Sequence, residues 1–482
     1  MKKLGSRRWA ALVIAGMLVA ACTGATASPS AAPASQPAAS TDASVAPASV
    51  APASVEPSTA AQPFAGETIN VSTYSSVTDF DFYKTILPEF EALTGIKVNY
   101  VQQPVAAMDQ KIPLQLTAKD TSLDVFFTGS ENIGSYIGIE GVEPLDAYLD
   151  DPAQTAADYD FDDIAPAVQA ACQNGGQNWC IASKTGGAVL YYNTRMFQEA
   201  GITAPPQNPA ELLDYAKRLT NDDHAGFCTR GDKTQNLYTA FMLWQWFYAY
   251  DNDVTGNYFD KEWNFLLSKD PSATEFATWY RDITQNASPD GIATYLVTNC
   301  LQDFQQGRVA MWHDDSGMIG EVLDPEKSRV SEETAFHALP CQPVNPDHCS
   351  LVQPFGIWMN RASEHKGASW QFMQWITSKA TQAKTATAGA LLTPSRLSVL
   401  EDPAVVAAMP ATFAETLTTV LGQPNVALLP FIPEGVAILP PMLNALSELN
   451  GTDRPIAEVM ADMGAGVDAI MKEAGYPKPF PE

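Results

Sequence analysis

Several residues carry side chains suited to holding a neutral, hydroxyl-rich molecule. Asp314 and Asp315 stand beside Trp312 at what reads as a strand end. Arg230 and Asn236 are polar groups next to an aromatic-rich stretch, 235–250, that contains Trp244. Tyr74 with Ser75, and Thr128 with Gly129, each follow an apolar strand pattern, and open α/β sheets bind ligands beyond their strand ends. Carboxylates and amides match hydroxyls, aromatic rings cover C–H faces, and arginine adds a rigid fork of donors. Structural roles compete with this reading. Trp244, Trp246, Phe247 and Tyr248 cannot all face one cleft, and most suit a core. Trp358 suits a core as well. Asp314 and Asp315 are adjacent, so in a strand their side chains point apart. A glycosidase pair, by contrast, holds two carboxylates about 5–10 Å apart around one sugar subsite.

The chain has no P-loop, no Gly-x-Ser-x-Gly elbow, no His-Glu-x-x-His and no Cys-x-x-Cys, so no motif assigns catalysis or a cofactor. Asp251-Asn252-Asp253-Val254-Thr255-Gly256, with Glu262 at the twelfth position, approximates an EF-hand calcium loop; a polar turn after a helix is the other reading. His337, Cys341, His348 and Cys349 fit no usual zinc spacing. The expectation is no metal and no cofactor.

These residues need a scaffold of alternating strands and helices. Thr68–Tyr74 alternates apolar and polar side chains as a strand does. A helix follows over 79–94 and stops at Gly95. Ile96, Val98 and Tyr100 alternate again, and Met108, Ile112 and Leu116 have helical spacing. Leu123–Phe127 is a short buried strand, and 131–139 a short helix. A second unit begins near Ile181, with Ala188–Tyr192 as a strand. Asn208-Pro209-Ala210-Glu211 is a capping box that opens a helix through Leu219. Later come a helix over 300–306, strands at 309–312 and 355–359, and a helix carrying Ala368, Phe372, Trp375 and Ile376. Such alternation indicates parallel βαβ units and an α/β class.

The N-terminus fixes an address. Lys2, Lys3, Arg7 and Arg8 precede an apolar run, Trp9–Ala21, of signal-peptide length. Leu18-Val19-Ala20-Ala21-Cys22 resembles a bacterial lipobox, so Cys22 is expected to carry lipid. Residues 23–65, mostly Ala, Ser, Pro, Thr and Val, cannot form a core and read as a flexible tether. The remaining length, about 417 residues, suits two or three domain-sized units. Acidic residues outnumber basic ones by 55 to 28, for a net charge of −27; this excludes the basic surface that nucleic acids require. Six cysteines remain besides Cys22, and an even count in an exported chain reads as disulfides. The economical pairing is Cys172–Cys180, Cys228–Cys300 and Cys341–Cys349.

Several segments resemble the extracellular solute-binding protein family 1 that serves ABC sugar importers. The run Leu190-Tyr191-Tyr192-Asn193-Thr194, Phe197, Ala200-Gly201-Ile202 and Pro205-Pro206 is similar to one of its motifs, and Glu211–Thr220 to the helix that follows. Phe304–Met311 and Thr393-Pro394-Ser395-Arg396 resemble later ones, in order across 67–480. Cys228-Thr229-Arg230-Gly231 with Asn236, Met311–Asp314, and Leu323–Val330 are similar to the sorbitol- and mannitol-type branch, whose cleft aromatic falls at Phe355. The extra cysteines and surrounding loops depart from that branch. Arg396 fits a ligand contact or a turn brace equally well.

The resemblance implies a two-lobed periplasmic-binding-protein-like fold with a hinge and an interlobe cleft. Residues 66–181 plus about 352–378 would form one lobe, and 182–351 plus about 379–482 the other, after a signal peptide (1–21) and a lipidated linker (22–65). It implies a monomer that is not an enzyme, held outside the cytoplasm on the membrane, delivering a sugar or polyol to ABC permease subunits. A lipid-anchored carbohydrate hydrolase and a ligand sensor for a receptor are the rival functions.

Overall fold

The computed structural model describes residues 62–75, 78–234, 236–248, 258–269, 271–342, 350–351, 354–390, 393–422, 425–426, 429–430 and 432–477. Cys22, the 251–257 part of the calcium-like loop, His348 and Cys349 lie outside them.

Two sheets organise these residues. The first contains β1 (Thr68–Tyr74), β2 (Lys97–Gln103), β3 (Val125–Gly129), β4 (Ile181–Lys184) and, from far along the chain, β9 (Phe355–Met359). The second contains β5 (Ala188–Asn193), β6 (Ala225–Cys228), β7 (Val309–Asp315) and β8 (Thr334–His337). The first sheet runs β2-β1-β3-β9-β4 and the second β8-β5-β7-β6. β1 pairs in parallel with β2 and β3, while β9 runs antiparallel between β3 and β4. Only β6 and β7 are parallel neighbours in the second sheet.

Local chemistry explains the main elements. In β1 the side chains of Ile69 and Val71 are fully buried, as the alternation predicts. Helix α1 (Thr78–Thr94) ends because Gly95 adopts a left-handed φ of 73°, the conformation glycine tolerates best. α2 (Val105–Thr117) then precedes β3, whose residues are all buried, as suits a strand covered on both faces. α3 (Pro209–Leu219) opens on the expected cap: Asn208 Oδ1 accepts from the Glu211 N–H at 2.9 Å, and Glu211 Oε2 accepts from the Gln207 N–H at 2.8 Å.

One face of the second sheet, with Tyr191, Trp312 and Phe336, shares a buried cluster with the first sheet. The other, with Leu190, Phe227 and Met311, packs on helices. α4 (Asn236–Tyr248) and α5 (Pro271–Asn286) belong there, together with the C-terminal pair α10 (Leu439–Gly451) and α11 (Ile456–Glu473). α6 (Val297–Gln305) flanks β7. α7 (Lys366–Ile376) and α8 (Lys379–Thr387) pack on the first sheet's side, and α9 (Ala411–Gly422) lies against β8 through Phe413 and Phe336.

The chain crosses between sheets at Thr185-Gly186-Gly187. The expectation of a second unit from Ile181 is corrected here, because β4 pairs with β9 and belongs to the first sheet. The crossing is held on both sides. Thr185 N–H donates to Thr393 O at 2.8 Å, and Ser316 N–H donates to Gly187 O at 2.8 Å. Buried Gln382 ties the same region, donating to Ser183 O (3.1 Å) and Ser395 Oγ (2.8 Å).

Two of the expected disulfides form, Cys172–Cys180 and Cys228–Cys300. Cys341 is also disulfide-bonded. Arg396 is fully enclosed. It donates to the carbonyls of Thr377 (2.6 Å), Asp160 (2.7 Å) and Tyr159 (2.8 Å) and pairs with Asp163 at 3.3 Å. Of its two sequence readings the structure takes the brace. Replacing it takes this donor from the three carbonyls and removes the counter-ion of Asp163, which keeps only its bonds from Ser398. Arg396→Met is expected to lower unfolding stability by about 3–5 kcal/mol, measured by denaturant titration, with ligand affinity changed less than twofold in the folded fraction. A large affinity loss at unchanged stability would return Arg396 to the binding site.

Candidate functional site

At the end of β7, Trp312, Asp314 and Asp315 are all buried. Asp314 is fully enclosed and still charged by type, so its partners decide whether it is tolerated. Arg230 Nε donates to its two oxygens at 3.0 and 3.2 Å, and Arg230 Nη2 also donates to Oδ1. Trp312 Nε1 adds a donor at 3.2 Å. This is the bidentate fork that makes arginine–carboxylate pairs strong and directional.

The scaffold around Arg230 is rigid. β6 ends at Cys228, which is bonded to Cys300 of α6. Gly231 follows Arg230, and a Cβ there would meet Ile292 O at 1.9 Å, so the turn admits only glycine. The guanidinium lies 4.5 Å from the Tyr238 ring centroid, within cation–π range. Tyr238 Oη donates to Asp315 Oδ2 at 3.0 Å, and the Gly317 N–H donates to Asp315 Oδ1 at 2.7 Å. Arg230, Asp314, Tyr238 and Asp315 therefore form one connected, largely buried polar cluster.

A second cluster sits on the first sheet. Tyr74 packs edge-on against Phe355, with centroids 5.8 Å apart, and donates to Asp109 at 2.8 Å. Phe80 contacts Phe355 at 5.9 Å. Lys184, at the end of β4, points its ammonium over both rings, 4.4 Å from Phe355 and 4.7 Å from Phe80. The same ammonium donates to Asp79 Oδ1 at 3.0 Å. Only 8% of Lys184 and 4% of Asp79 is exposed.

The two clusters feel each other. Burial pushes the Asp315 carboxyl up from its usual range, against the Gly317 N–H and the positive charge of Lys184. The charge of Lys184 on the first sheet thus acts on Asp315 of the second.

The remaining expected residues sit elsewhere. Thr128 is buried on the face of β3 opposite Phe355, under Tyr136 and Trp358. Beside it, a Cβ at Gly129 would strike the Glu131 carboxylate at 2.0 Å, so that carboxylate folds over the strand end. Ser75 follows Tyr74 and donates its N–H to Gln103 O. Asn236 is buried and holds the Gly231 and Leu443 carbonyls at 3.4 Å. Trp312 stacks on Tyr191 at 4.7 Å and backs Asp314 from inside. Trp244 lies in the helical core against Phe276. The cavity beside it, walled by Leu267, Met442, Leu446 and Met463, offers hydroxyls nothing to bond. Asp79, Lys184, Tyr238, Asp109 and Glu131 were missed by sequence reasoning. Lys184 carried a readable signal, a lysine ending the apolar strand Ile181–Lys184.

The chain matches the profile of the bacterial extracellular solute-binding proteins over residues 74–383, more than half its length. It belongs to that family. An erythritol/L-threitol-binding protein of Mycolicibacterium smegmatis is 26% identical over 363 residues, covering 72% of this chain and 75% of the relative. The fold is shared with solute-binding proteins of Agrobacterium radiobacter K84, in complex with ribitol (TM-score 0.73, 22% identity, 84% of this chain and all of the other), and of Agrobacterium vitis S4, with bound D-mannitol (0.72, 21%, 86% and all). Members of this extracellular family are two-lobed and act outside the cytoplasm. Among the described residues no helix is long and apolar enough to cross a membrane, and no group of three or more His, Cys, Asp or Glu side chains could hold a metal ion.

His313, between Trp312 and Asp314, is 1% exposed. Burial lowers its pKa from 6.5 to about 4. The folded protein holds it neutral while the unfolded chain takes up a proton below 6.5. Stability is therefore full above pH 6.5 and falls as pH drops toward 4, by up to about 3 kcal/mol. His313→Leu should flatten that limb of a stability–pH profile; an unchanged limb would contradict the assignment.

Proposed function

We infer that the protein captures an uncharged sugar or polyol between its lobes and delivers it to ABC permease subunits. The observation that carries this reading is the connected Arg230–Asp314–Tyr238–Asp315 cluster at the end of the second sheet, whose Asp315 feels the charge of Lys184 beside Phe355. Each carboxylate is balanced by fixed donors, so the cluster presents matched hydrogen-bonding groups rather than a strong field of one sign. That suits a ligand with many hydroxyls and no charge. The polyols named for one relative and found in two structural neighbours support the same class.

The protein is a monomeric carrier and not an enzyme. The lobes follow the sheets, dividing at 185–187, and ligand favours the closed arrangement by touching both. Signal peptide cleavage leaves Cys22 lipidated, with a tether that starts at residue 23 and stops short of 62–65, a turn held to Leu93 by Gln62; an unmodified mature N-terminus by mass spectrometry would remove the anchor.

A thermal-shift screen against polyols, monosaccharides and oligosaccharides tests the reading. A true ligand at about 100 times its Kd adds about 2.7 kcal/mol of stability, and Asp314→Ala abolishes that shift. No shift with any carbohydrate, or hydrolysis of one, sinks it.

A further inference from the structure

We propose that Asp79 and Lys184 form the first lobe's polar contact with the ligand: Asp79 Oδ2 accepts a ligand hydroxyl, and Lys184 is the positioning residue that holds the carboxylate. The inference rests on the carbohydrate reading of the site and adds two residues to it.

Asp79 sits in the first turn of α1 and Lys184 at the end of β4, 105 positions apart. Both are enclosed, and they meet beside Phe355 and Phe80. Lys184 engages Asp79 Oδ1 at 3.0 Å, while Asp79 Oδ2 is buried and has no hydrogen-bond partner among the described residues. Buried carboxylate oxygens almost always accept a hydrogen bond, because an unmet one forfeits its hydration without return. Tyr83, one turn further along α1 on the same face, also has a buried hydroxyl with no partner among the described residues. The charge of Asp79 acts on that hydroxyl, behind the effect of burial, in raising its pKa. An open acceptor and an open donor lie on one helix face. A single ligand hydroxyl has the chemistry to donate to one and accept from the other.

Lys184 explains why the carboxylate is tolerated. Its ammonium has one carboxylate partner and two ring faces, and its charge also reaches Asp315 of the second sheet. Lys184 lies immediately before the crossing at 185–187, where it acts on both clusters.

The test uses calorimetric titration of the wild type and of Asp79→Leu, Asp79→Asn and Lys184→Met. The ligands are the tightest carbohydrate from the thermal-shift screen and its monodeoxy analogues. The wild type should lose about 10- to 100-fold in affinity for the analogue lacking the hydroxyl that meets Asp79. Asp79→Leu should bind that analogue as tightly as the parent, and Lys184→Met should narrow the same gap. If Asp79→Leu fails to fold, the isosteric Asp79→Asn carries the comparison, with a narrowed gap at that one hydroxyl expected. A variant that weakens parent and every analogue by the same factor overturns the proposal and assigns Oδ2 to an internal water shared with Tyr83. Failure of every carbohydrate to bind the wild type is a separate result, which removes the carbohydrate reading itself.

Discussion

Charged groups taken out of water must be paired, and this constraint organises the strand ends of both sheets. Asp314 and the Arg230 guanidinium are each other's counter-ion inside protein, and removing either strands a buried charge at a cost of about 3–5 kcal/mol. The pair forms only if β6 and β7 end side by side. Their parallel register places Cys228 opposite Trp312, so Arg230 and Asp314 fall two residues beyond the same rung. The Cys228–Cys300 bond, the close turn at Gly231 and the Tyr191–Trp312 stack all hold that geometry. Lys184 and Asp79 repeat the solution on the first sheet.

The chain changes sheets beside these pairs. Lys184 ends β4, and β5 begins after three intervening residues. Ser316 follows Asp315 directly and bonds Gly187 in the crossing. Polar groups of both lobes are thus anchored to the same short segment. A ligand that met both clusters, as proposed, would bind two elements joined by this crossing and so bias their arrangement.

Much of the scaffold was legible from periodicity. The β1, β5 and β9 patterns, the Gly95 stop and the Asn208 capping box follow from side-chain alternation and local hydrogen bonding, which neighbours in sequence determine. Arg230, Asp314 and Asp315 were legible as chemistry, and the structure joins them. Less legible was everything that depends on distant partners. The assignment of β4 to the first sheet depends on β9, about 170 residues later. Asp79 reads as an ordinary acidic residue in a first helical turn until Lys184 arrives. Trp244, Asn236 and Thr128 have the right types for binding, but only packing reveals that they face inward. Arg396 shows the same ambiguity: a guanidinium suits a ligand and a bundle of carbonyls equally, and the fold supplies the carbonyls.

A crystal structure of the mature protein with the tightest polyol from the screen measures the central claim directly. Ligand density is expected between the sheets, with hydroxyls on Arg230, Asp314, Tyr238 or Asp315 and a C–H face on Phe355. Density that avoids these residues, for instance in the apolar cavity beside Trp244, would contradict it.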